Sequence, residues 1–175
     1  GQPETGADRA DDLERIAMNF GPENIAACIV EPIAGSTGTL VPPKGYLQKL
    51  RDICDKHGIL LIFDEVITGW GRTGSSFASI EYGVTPDIMT MAKATTNGVV
   101  PMGVVACKDE IYDSVMDASP MGSVELFHGY TYSGIPVAVA AALVVHNIFQ
   151  QDDFFPRTIN FHPYYHTGLF SLQAS

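Results

Sequence analysis

Apolar positions along this chain fall into two kinds of pattern. Unbroken runs bounded by turn residues, Ile25-Ala-Ala-Cys-Ile-Val30, Ile59-Leu-Leu-Ile-Phe63 and Ile88-Met-Thr-Met91, have the length and composition of buried strands. Met102–Ala106 reads as a fourth. Elsewhere the apolar residues return every three or four positions, the period of one helix face. Leu13, Ile16, Ala17 and Phe20 predict a helix over Asp11–Phe20, stopped by Gly21-Pro22. Tyr46, Leu47, Leu50, Ile53 and Cys54 predict a second, closed by His57-Gly58. A short helix near Ser76–Tyr82 and another over Lys108–Met116 follow, the latter with Ile111, Val115 and Met116 on one side. An alanine-rich helix runs from Pro136 to about Gln151, with proline suited to its first turn. Residues 1–10 read as a surface loop, and residues 152–175 show no period. Strands alternating with helices define an α/β fold with a mostly parallel sheet and flanking helices.

Three consecutive strand runs end in ionisable residues: Glu31, Asp64 and Lys93. A single charge there is ordinary, because charges commonly bound elements. Three of them would meet at the carboxyl edge of a parallel sheet, where open α/β sheets bind ligands. A carboxylate partly removed from water needs a cation or hydrogen-bond donors. A lysine in the apolar setting Met89-Thr-Met-Ala-Lys93-Ala is a usable amine nucleophile. An acid and an amine so placed suit pyridoxal phosphate, and a plain Asp64–Lys93 salt bridge would use the same residues.

Composition narrows the partners. The chain has 175 residues, 46% of them apolar, enough for one domain with a sizeable core. Ten basic residues against twenty acidic ones give a net charge of −10, and no basic run occurs. Nucleic acids and anionic membrane surfaces, which need clustered Lys or Arg, are poor partners. Cys28, Cys54 and Cys107 are widely spaced and read as reduced core residues of an intracellular, cytoplasmic protein. No apolar run reaches the ~18 residues of a membrane span. His162-x-x-x-His166 lacks a third ligand, so no metal site is read there.

Phe63-Asp-Glu-Val-Ile-Thr-Gly-Trp-Gly-Arg-Thr-Gly74, with Thr85-Pro-Asp-Ile-Met-Thr-Met-Ala-Lys93 after it, resembles the signature of the class III (omega) aminotransferases. The resemblance extends through Val30-Glu-Pro-Ile-Ala-Gly-Ser-Thr-Gly38, Thr96-Asn-Gly-Val-Val-Pro-Met-Gly103 and His128-Gly-Tyr-Thr-Tyr-Ser-Gly134. It covers roughly residues 5–153 and, within the class, is most similar to beta-alanine–pyruvate and related omega-amino acid aminotransferases. It implies part of the large pyridoxal-phosphate-binding domain of a fold type I enzyme over residues 1–135, a helix leading out over 136–153, and a truncated small domain or irregular tail over 154–175. It implies that Lys93 forms a Schiff base with the cofactor and then acts as general base. Asp64 matches the partner of the ring nitrogen, and Val66 the residue packed on the ring. Thr131 matches the phosphate-binding threonine contributed to the partner subunit's site in a homodimer, and Glu31 an acid beside the site. The substrates implied are an omega-amino acid or amine as donor and a keto acid such as pyruvate as acceptor.

The chain is well under half the family's length and reads as an internal fragment, without the upstream glycine/serine phosphate loop or the downstream arginine for a substrate carboxylate. Class III aminomutases, decarboxylases and racemases share the same lysine and aspartate. Ile135 and the tail from Phe154 depart from the family pattern, and a non-catalytic fragment is a further alternative. Gly69-Trp-Gly-Arg-Thr-Gly74 is also a literal G-x-G-x-x-G, the mark of a dinucleotide-binding oxidoreductase when strand and helix flank it closely. Trp70 and Arg72 read either as substrate contacts or as loop packing and a salt bridge.

Overall fold

A computed structural model of the chain describes residues 1–121, 126, 128–151 and 154–173, apart from the side chains of 156, 158, 162, 166, 172 and 173 in the last helix. Its centre is a four-stranded sheet in the order β1 (Ala27–Val30), β2 (Leu60–Asp64), β3 (Ile88–Met91), β4 (Val104–Cys107). β1, β2 and β3 run parallel, so Val30, Asp64 and Met91 all point to one edge. β4 returns antiparallel to β3. The expected mostly parallel α/β sheet is thus present, with one reversed edge strand.

Helix α1 (Asp11–Phe20) carries Asp11, Asp12 and Glu14 in its first turn, where acids complement the helix dipole. The Gly21 N–H bonds the Ala17 carbonyl at 3.0 Å and ends it. Helix α2 (Tyr46–His57) has Lys56 and His57 in its last turn and stops at Gly58, whose φ of 66° is the left-handed value glycine adopts freely. Its Leu47 and Cys54 pack with Ala17 of α1 against Leu61 and Phe63 of β2, both fully buried. Each large side chain so buried contributes about 1.5–3 kcal/mol. Leu61 and Phe63 face these helices, while Ile62 and Asp64 alternate to the other face.

Helices α3 (Ala78–Tyr82), α4 (Asp109–Asp117) and α5 (Pro136–Gln151) lie where their periodicity places them. Residues 1–10 are more ordered than a loop, since Ala7–Ala10 form a turn of 3-10 helix that buries Ala10. β1 is not buried on both faces, because Ile29 is 63% exposed. A run of apolar residues gives no sign of which face finds a partner. The tail is not irregular: Phe154–Gln173 form helix α6, with Pro163 inside it. Its Phe155 ring lies over Gly71, where a Cβ would stand 2.9 Å away. Of the cysteines, Cys54 is buried, Cys28 half-buried and Cys107 exposed, so the last is not a core residue.

Candidate active site

The carboxyl edge of β1, β2 and β3 collects the three charged strand ends. Asp64 closes β2 opposite Thr90 of β3, and the chain leaves β3 at Met91 to reach Lys93 two residues on. Asp64 is half-buried, and its Oδ1 accepts the Val66 N–H at 3.0 Å. Its need for a donor is therefore met in part by its own turn, and Oδ2 has no partner among the described residues. Lys93 is exposed rather than enclosed by its apolar neighbours, and it opens a 3-10 turn, Lys93–Thr95, with φ of 45°. A left-handed backbone at a non-glycine residue costs about 1–3 kcal/mol and persists where the surroundings impose it. No ion pair joins Asp64 to Lys93, so the plain structural salt bridge is not formed.

Glu31, at the end of β1, turns back on its own loop: its Oε2 accepts the Gly35 N–H at 2.9 Å. Thr131 sits exposed in the short turn Tyr130–Tyr132 and makes no hydrogen bond to Asp64, Val66 or Lys93. The structure thus brings Asp64, Val66 and Lys93 to one edge, has Glu31 at the end of the adjacent strand in a local role, and joins Thr131 to none of them by a hydrogen bond. His128 stands 5.1 Å from the Tyr130 ring, centroid to centroid. The side chains of His162 and His166 lie outside the described set.

Two acids that local sequence does not single out hold the two ends of this part of the sheet in place, Glu65 at this edge and Asp87 at the other. Glu65 is fully buried, its Oε1 accepting the Ser79 N–H at 2.7 Å and its Oε2 the Ala78 N–H at 2.7 Å and the Thr68 hydroxyl at 3.0 Å. It clamps the glycine-rich loop to the start of α3. Gly69 is required there because a Cβ would lie 2.8 Å from the Glu65 carbonyl oxygen. At the opposite end of β3, Asp87 bonds Arg51 at 2.8 Å, Lys108 at 2.7 Å and the Leu61 N–H at 2.7 Å. Burial alone would raise its pKa, but bonds from Lys108, Leu61 and Arg51 outweigh burial and hold the carboxyl below the usual range. Apart from Thr68, the partners of both acids are distant in sequence, so no spacing within a motif marks them.

The clamp also settles the glycine motif. The first N–H groups of α3, which would have to face a pyrophosphate, are already occupied by the Glu65 carboxylate. α3 has only five residues, and the dinucleotide reading fails on both counts. Trp70 packs edge-on to Phe77 at 5.3 Å and stacks on Phe149 at 5.9 Å. Arg72 is exposed and forms no ion pair among the described residues. A cleft of about 340 Å³ opens between Trp70, Arg72, Ala94, Asn97 and Phe149, next to the Lys93 turn.

An acid and an unpaired amine at adjacent parallel strand ends, joined by a glycine-rich loop, define an aminotransferase-type α/β domain. The chain belongs to the class III aminotransferase family, whose model matches residues 3–175. It is 56% identical over 172 residues to an omega-aminotransferase of Caulobacter vibrioides, covering 98% of this chain and 39% of that protein. It is 50% identical to a beta-alanine–pyruvate aminotransferase of Pseudomonas aeruginosa, covering 97% of this chain and 38% of the relative. The structure superposes with a TM-score of 0.88 on an (S)-enantioselective omega-transaminase from Thermomicrobium roseum, 41% identical, over 97% of this chain and 37% of that one. The chain therefore spans about two fifths of the length of the relatives it matches.

Proposed function

We propose that this chain carries the catalytic edge of a pyridoxal-phosphate-dependent aminotransferase that moves an amino group from an omega-amino acid or amine to a keto acid such as pyruvate. The observation that carries the reading is the Asp64–Lys93 pair, held at neighbouring strand ends without neutralising one another. That donor set fits the cofactor on which this class depends, with a carboxylate oxygen left over for a protonated ring nitrogen and a primary amine free to bond a carbonyl carbon. When bound, pyridoxal phosphate supplies an electron-withdrawing ring that accepts the electron pair released at the substrate Cα.

The protein's part is positional and acid–base. Asp64 would hold the ring nitrogen's proton in place. Val66, whose N–H fixes the Asp64 carboxylate, would pack its side chain on the ring. The Lys93 Nζ would act as general base, taking the Cα proton of the substrate and holding it for return. Glu31 borders the site from β1. The exposure of Thr131 supports its service to a partner subunit's phosphate in a homodimer. In this reading residues 1–135 belong to the large domain, 136–153 lead out of it, and 154–175 begin the small domain. Three unpaired cysteines support a reducing, cytoplasmic setting. Among the described residues no helix is long and apolar enough to cross a membrane.

The test is covalent capture. The chain, and a chimaera in which it replaces the matching segment of the Caulobacter omega-aminotransferase, are mixed with pyridoxal phosphate, reduced with borohydride and mapped by peptide mass spectrometry. The expected label is on Lys93, absent from Lys93→Ala, and beta-alanine with pyruvate then yields alanine in the chimaera. A chimaera that takes no label on Lys93 refutes the reading. A labelled chimaera that makes no alanine moves the chemistry to another reaction of the class.

A further inference from the structure

Trp70 sits in a loop that leaves the Asp64 strand, yet its side chain ends on the Lys93 turn. Its indole Nε1–H donates to the Thr95 hydroxyl at 3.0 Å. The Thr95 hydroxyl in turn donates to the Ala92 carbonyl at 3.0 Å, and the Thr95 backbone N–H bonds the same carbonyl at 3.0 Å. Direction in this relay is fixed by chemistry. An indole N–H can only donate, so the threonine oxygen must accept from it and spend its own proton on Ala92. Thr95 is 3% exposed, which removes water as an alternative partner.

The peptide so held is the one that joins Ala92 to Lys93, on the amino side of the residue whose φ is 45°. Gly98 closes the other side, its N–H bonding the Lys93 carbonyl at 3.3 Å. The left-handed turn is thus pinned before and after the lysine. Trp70 is itself pinned: its backbone has φ of 61°, its N–H bonds the Ser76 carbonyl at 2.6 Å, and Phe77 and Phe149 contact two sides of the ring. Gly69, just before it, bonds the Glu65 carbonyl at 2.9 Å, next to Asp64.

We propose that Trp70, acting through Thr95, is a positioning residue for Lys93 and ties the lysine-bearing turn to the aspartate-bearing strand end. The inference rests on Lys93 being the reactive amine. Without the relay the lysine keeps its chemistry and loses its fixed origin, and the angle between amine and acid relaxes.

Two measurements test it, one without cofactor. Amide hydrogen exchange at Thr95 and Gly98 is compared with that of α2 in the parent chain, Trp70→Phe, Thr95→Val and Thr95→Ser. Losing one buried hydrogen bond should speed exchange at the Lys93 turn about tenfold in Trp70→Phe and Thr95→Val, leave α2 unchanged, and be rescued in Thr95→Ser. In the chimaera, borohydride-fixed cofactor on Lys93 should fall by a similar factor in the first two variants and recover in the third. Unchanged exchange at the turn in both Trp70→Phe and Thr95→Val overturns the inference, as does a rise spread equally over α2, which would make Trp70 general packing. Thr95→Ser behaving like Thr95→Val overturns the hydroxyl relay. If the parent chimaera takes no label at Lys93, the functional reading falls, and the inference falls with it.

Discussion

Replacing Glu65 by glutamine keeps the size of the side chain and halves what it can accept. In the native site one carboxylate oxygen takes the Ser79 N–H and the other takes the Ala78 N–H and the Thr68 hydroxyl. A glutamine can place its oxygen at only one of these positions, and its NH2 group then faces a donor. Leaving a buried N–H unpaired costs about 1–3 kcal/mol, and each surviving bond, no longer to a charged acceptor, weakens by about 1 kcal/mol. The sum is about 3–5 kcal/mol, a large share of the ~5–15 kcal/mol by which domains are typically stable. Urea unfolding followed by circular dichroism reads the global loss. Trp70, the single tryptophan, reads the clamped loop by fluorescence. In Glu65→Gln the fluorescence transition should precede the dichroism transition, because the loop loses its anchor before the core does. A loss under about 1 kcal/mol with coincident transitions would refute the clamp.

Asp87 gives a pH signature. Its folded pKa lies below the ordinary 3.8, so its stabilisation is complete above that value and disappears as pH falls through the folded pKa. Asp87→Asn should lower the urea midpoint at pH 7 and converge with the parent as pH falls below the folded pKa, and a difference constant with pH would contradict the ion network. Cys28 is drawn down to about 7 by a hydrogen bond from the Cys54 thiol, against desolvation, while the same contact pushes Cys54 up. Iodoacetamide should therefore alkylate Cys28 with a midpoint near 7, moving towards 9.0 in Cys54→Ala. An unmoved midpoint would show that the two thiols act independently.

Much of the architecture could be read from periodicity because the relevant forces are local. α1, α5 and β3 occupy the residues their apolar spacing marks, with Gly21 and Pro136 acting as local punctuation. What the pattern could not carry was pairing. That β4 runs antiparallel depends on how the chain crosses from Lys93 to Gly103, and that Ile29 is exposed depends on what packs above β1. Helix α6 was hidden by Pro163 and by aromatics without a period. At the site, Asp64 and Lys93 were legible as strand ends, and resemblance gave them roles. Glu65 and Asp87 were not, since the backbone N–H groups they bind lie 13 to 26 residues away. The exposure of Lys93 and the turn of Glu31 onto Gly35 are likewise properties of the folded loops.

The alternation along β2 has a mechanical meaning for any chemistry at its end. Phe63 is locked into the core on one face and Asp64 projects from the other, so a slip of one residue would drive the carboxylate into the slot that holds an aromatic ring. The smallest allowed displacement is two residues, about 6.6 Å, which would remove the acid from the edge altogether. Asp64 therefore has no continuum of nearly correct heights. Its position is digital, and ordinary thermal motion or mild surface mutation leaves it either in register or nowhere useful.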